Sequence, residues 1–177
     1  MIILSPLHSG RITPSFFAEG EILPSSNMVS LGLETVEAYA EEEPGAEIIV
    51  PYIEKYMPHA SWSVIYADIK SANESKRLAE VLKKYNTPST LFIISTNLSP
   101  LSLTYEECRE WREKAKSLLL SSGPVLDSVN HHMVSFCGAG IVDSLERVEK
   151  GKWKWIMDEE GDSTTAHSLL VKEQMYD

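Results

Sequence analysis

Residues 90–100 read T-L-F-I-I-S-T-N-L-S-P, and this stretch decides the fold. Leu91, Phe92, Ile93 and Ile94 form an apolar run that gives way at once to Ser95, Thr96 and Asn97. So short a run, partly β-branched and closed by turn chemistry, reads as a buried central strand rather than a helix. In open α/β sheets, residues just past the carboxyl end of such a strand line the ligand crevice. Ser95, Thr96, Asn97 and Ser99 hold that place.

Outward from this run, strands and helices alternate. Ile2, Ile3 and Leu4 read as a strand stopping at Ser5-Pro6, with His8-Ser9-Gly10 just beyond it. Residues 11–29, rich in Pro, Ser and Gly around Phe16 and Phe17, read as an irregular loop with room for a short hairpin. A loop of this length inside a domain is usually functional or mobile. Ser30 is placed to cap a helix running to about Glu42, with Leu33, Val36, Tyr39 and Ala40 inward. Pro44-Gly45 ends it. Ile49, Tyr52, Ile53 and Tyr56 then have the spacing of a helix face, and Pro51 predicts either a kink or a helix that starts there. Residues 63–69 read as the next strand.

Ser71-Ala-Asn-Glu74 and Thr104-Tyr-Glu-Glu107 both have capping-box spacing. The first opens a helix with Leu78, Val81, Leu82 and Tyr85 along one side. The second opens a helix whose stripe is Cys108, Trp111, Ala115, Leu118 and Leu119. Gly123-Pro124 starts a shorter helix. Phe136-Cys-Gly-Ala-Gly140 leads tightly into a helix through Val148, with Gly151 as its stop. Trp153, Trp155 and Met157 alternate with Lys152 and Lys154, a strand with one apolar and one wet face. Residues 158–165 read as an acidic loop and 169–175 as a last, antiparallel strand. The predicted class is α/β: a three-layer α/β/α arrangement with a mixed, mostly parallel central sheet.

At 177 residues the chain suits one domain with a substantial core. Its formal net charge of -10, from 26 acidic and 16 basic residues, argues against a nucleic-acid backbone or an anionic membrane as main partner. No apolar run is long enough to span a bilayer and no signal peptide is visible, so the expected location is cytoplasmic. Cys108 and Cys137 are too few for a disulfide framework.

Five stretches, in order, resemble the Memo family: I-I-L-S-P-L-His8, A-E-I-I-V-Pro51, L-F-I-I-S-T-N-L-Ser99, Cys137-Gly138 and Gly161-Asp-Ser163. The matching family elements are a strand ending in histidine, an E-H-S-x-E-x-x-L-P helix, a strand ending S-S-D-x-S-H, a C-G helix start and an S-G-D loop. The resemblance covers nearly all of the chain. It implies the fold of the class III extradiol ring-cleavage dioxygenases and a metal-facing set of His, His and Cys with an Asp and a His nearby. This chain departs from that pattern. It starts after the family's Pro-His-Ala-Gly segment and its metal-binding histidine. The Asp and His of S-S-D-x-S-H fall at Asn97 and Pro100, and the His of E-H-S falls at Pro44. Only His8 and Cys137 line up as metal ligands.

His8 reads as a ligand for iron, copper or zinc, or as a loop histidine bonded to backbone. Cys137 reads as a depressed-pKa thiolate at a helix start, or as a small buried residue in a tight turn. Together they fall short of the roughly three or four ligands a metal site needs. Asn97 is neutral and cannot serve as the base that a carboxylate would. Asn97 and Ser99 are the expected crevice lining, and Asp162 with Ser163 reads either as crevice lining or as a polar turn. Glu47 reads as a solvated helix face. His59, His131, His132 and His167 read as surface or structural groups, and Trp153 and Trp155 as core or interface.

The leading expectation is a degenerate Memo-like binding or assembly protein without ring-opening activity. A metal-dependent oxidoreductase around His8 and Cys137 is the alternative, and a Cys137-dependent hydrolase with His8 as base is a further one. The shortened start is expected to leave a sheet edge that a homodimer, a larger assembly or another protein covers.

Overall fold

The computed structural model describes residues 1–7, 16–21, 27–37, 44–100, 104–148, 151–160 and 166–174. In chain order they form β1 (Ile2–Pro6), β2 (Phe17–Glu21), β3 (Thr35–Glu37), α1 (Pro44–Glu47), α2 (Val50–Tyr56), β4 (Ser63–Ala67), α3 (Ala72–Tyr85), β5 (Phe92–Ile94), α4 (Tyr105–Leu120), α5 (Val125–Asn130), α6 (Ala139–Val148), β6 (Gly151–Glu160) and β7 (Ala166–Gln174). The main sheet has five strands in the order β3-β2-β4-β1-β5. β1 runs parallel to both β4 and β5, β2 runs parallel to β3, and β2 meets β4 antiparallel. The architecture is therefore mixed α/β with a mostly parallel sheet.

Side-chain alternation along β1 sends its residues to two cores. Ile2 and Leu4 join Ile65, Ala67, Leu78, Leu82, Ile141 and Leu145 beneath α3 and α6. Ile3 points the other way and joins Val64, Tyr66, Trp62, Ala46, Val50 and Ile53 beneath α1 and α2. Helices thus pack on both faces of the sheet. Each such large apolar side chain contributes about 1.5–3 kcal/mol by leaving water. A third cluster, including Ala115, Leu119, Val134, Phe136 and Val142, joins α4 to α6.

Both capping boxes form. The Ser71 hydroxyl accepts from the Glu74 N–H at 3.3 Å while the Glu74 carboxylate accepts from the Ser71 N–H at 2.9 Å. Thr104 and Glu107 do the same at 3.4 and 2.9 Å. Pro51 lies in the first turn of α2, so of its two readings the helix start is the one found. That position costs nothing because its missing N–H would have no helical partner.

Several expectations are corrected. No helix starts at Ser30: residues 35–37 are strand β3 beside β2, and residues 38–43 lie outside the described ones. Gly32 adopts φ +70°, which interrupts any helix there, and Thr35-Val36 is β-branched. The supposed loop over residues 11–29 contains β2, held against β4 by ladder bonds. Tyr52 and Tyr56 do not face inward; they are 64% and 68% exposed, whereas Ile53 of the expected face is buried and Val50 is buried beside it. β5 is not central. Among the described residues it pairs with β1 alone and ends the sheet. Gly151 and residues 158–160 belong to β6 rather than to a helix stop and a loop. β6 and β7 do pair antiparallel, but as a separate two-stranded sheet. Among the described residues, no helix is long and apolar enough to cross a membrane.

Candidate functional site

β1 and β5 are parallel, so their carboxyl ends open on the same side of the sheet. Leu4 is in register with Ile94, and the Ser95 N–H still donates to the Leu4 carbonyl at 2.9 Å. Past that bond the chain turns away as Thr96 and Asn97. The entry to α6 meets it there. Phe136 is buried and anchors the turn, and the next residue, Cys137, is exposed.

Four hydrogen-bonding contacts tie the two segments together. The Asn97 N–H donates to the Cys137 Sγ at 3.2 Å, and the Cys137 N–H donates to the Asn97 carbonyl at 3.3 Å. The Gly138 N–H donates to Thr96 Oγ1 at 2.7 Å. Thr96 Oγ1 also lies 3.4 Å from Sγ and 3.3 Å from the Asn97 carbonyl, either of which can take its proton. Gly138 has to be glycine for this approach, because a Cβ there would lie 2.7 Å from the Thr96 Cβ and Oγ1. Nearby, a Cβ on Gly45 would lie 2.5 Å from Ser5 Oγ and 3.1 Å from Ser95 Oγ. The start of α1 therefore seats tightly on the ends of β1 and β5.

Asn97 and Cys137 are thus brought together, but Asn97 engages through its backbone. Ser99 is half-buried two residues further on. His8, Asp162 and Ser163 lie outside the described residues. Of the two readings of Cys137, the buried one is corrected: the thiol stands at the surface, and the tight turn buries Gly138 instead. The sequence places Thr96 only in the crevice lining; in the structure its hydroxyl also accepts the Gly138 N–H at the entry to α6. A hydroxyl side chain at a strand end was the only signal for it.

Chemically the cluster offers one soft sulfur donor, hydroxyls and amides. Among the described residues no three His, Cys, Asp or Glu side chains converge. Of the roughly three or four side-chain ligands a resident metal takes, the described residues of this cluster supply one, the Cys137 sulfur. His59 is exposed after α2, and His131 and His132 are exposed beyond α5, with His131 Nδ1 2.8 Å from the Asp127 carbonyl. His167 is a β7 residue and Glu47 is half-buried at the end of α1. Trp153 is half-buried against the α4–α6 cluster and its indole N–H donates to the Glu146 carboxylate. No family model matches the chain, and no curated protein matches it.

Proposed function

We propose that the chain is a binding or assembly protein on a Memo-like, three-layer scaffold of the extradiol-dioxygenase type, and that it does not cleave aromatic rings. One observation carries this reading. At the strand-end position where the resembled pattern has an aspartate stands Asn97, and its N–H and carbonyl are both engaged by Cys137. Ring cleavage needs a group that can take a proton, and a neutral amide cannot. Among the described residues this strand end presents a thiol, hydroxyls and amides, which suit recognition of a neutral polar group.

The test is direct. Purified protein is mixed with Fe(II) and catechol in air, and the ring-opened chromophore is followed. No rate above that of Fe(II) alone is expected, and protein-dependent ring opening overturns the proposal. Metal content after loading with iron, copper or zinc and desalting should be well below one ion per chain. Stoichiometric metal lost in His8→Ala supports the metalloenzyme instead.

The exposure of the Cys137 sulfur favours one second reading, a thiol-dependent hydrolase. Its base is His8, which lies outside the described residues; among the described ones the sulfur's neighbours are an amide N–H and a hydroxyl. Turnover of a nitrophenyl ester that is abolished in Cys137→Ser would establish that reading.

A further inference from the structure

We draw no further inference here: the strongest candidate, the exposed apolar stripe of Ile48, Tyr52, Tyr56 and Met57 along α2, is an unpartnered helix face, and nothing in the structure shows what covers it.

Discussion

Glu19 is 2% exposed, yet among the described residues no cation is paired with it. Its carboxylate accepts instead from the Leu31 N–H at 2.8 Å, the Leu33 N–H at 3.3 Å and the Ser30 hydroxyl at 3.1 Å. Ser30 in turn accepts from the Gly32 N–H at 3.0 Å. One buried acid on β2 therefore shapes the turn that delivers the chain into β3. The perturbation that isolates this role is Glu19→Gln, which keeps the volume and removes the charge. Hydrogen bonds to a charged acceptor contribute about 1.5–3 kcal/mol each, against roughly 0.5–1.5 for neutral ones. Three bonds weakened by about 1 kcal/mol each, less the relief of no longer burying a charge, give a net loss of about 2 kcal/mol. For a chain of this size that lowers the melting temperature by roughly 4–8 °C. Urea unfolding measures the loss. Amide exchange localises it, because the Leu31 and Leu33 protons should lose protection first. Glu80→Gln is the control, since among the described residues Glu80 makes a surface pair with Lys83 alone and should shift stability by no more than about 0.5 kcal/mol. A Glu19→Gln melting point within about 1 °C of the parent, with unchanged exchange at Leu31 and Leu33, refutes the reasoning.

Other outcomes follow from the same contacts. In native protein one thiol should react quickly with a disulfide reagent and the other only on unfolding, because Cys137 is exposed and Cys108 buried. Cys137→Ser should remove the fast phase, and two fast thiols would contradict the packing of α4. Gly140→Ala should destabilise, since its Cβ would sit 2.4 Å from the Ile69 carbonyl oxygen. The overpacking cost of about 1–3 kcal/mol exceeds the roughly 1 kcal/mol that alanine gains over glycine in a helix. A urea midpoint equal to or above the parent's would refute it. The Thr104 N–H and hydroxyl hold the Glu107 carboxyl below its ordinary 4.5. With the folded value depressed, the stabilisation is present in full above that ordinary value and is lost as pH falls through the folded one. The stability gap between parent and Glu107→Gln should therefore shrink in acid, and a gap that stays constant down to about pH 3 would exclude this capping role.

What the sequence revealed of the fold divides by the range of the interaction responsible. The two capping boxes were legible because four consecutive residues contain both partners of each bond. β1 and β4 were legible because their apolar runs are fully buried. β2 was not, since Phe-Ala-Glu-Gly-Glu has no alternating apolar pattern and its acid is accommodated by donors 11 to 14 residues away. Around α2 two apolar stripes compete. Ala46, Val50 and Ile53 repeat at helical spacing as well as Ile49, Tyr52, Ile53 and Tyr56 do, and the two stripes share Ile53. Periodicity cannot choose between them; the small Ala46 and the short Val50 can approach Trp62 and Tyr66 closely, and two tyrosines can keep their hydroxyls in water.

The same distinction explains why β5 was misplaced while its end was read correctly. A run of apolar side chains reports that both faces of a strand are covered. It carries no information about the edges, which are settled by backbone groups every sequence has. Phe92 and Ile94 do pack on one cluster and Ile93 on the other, but all three are only half-buried, so the two-sided packing was inferred correctly and the full burial and the position in the sheet were not. Asn97 repeats this at the site. Its side chain is a neutral amide where the resembled pattern has an aspartate, and that much could be read. The contacts joining it to Cys137 run through its N–H and carbonyl, which an aspartate at the same position would also possess. The geometry around the thiol is therefore indifferent to which of these two side chains stands at position 97, and a turn of this kind can keep its shape while that side chain changes.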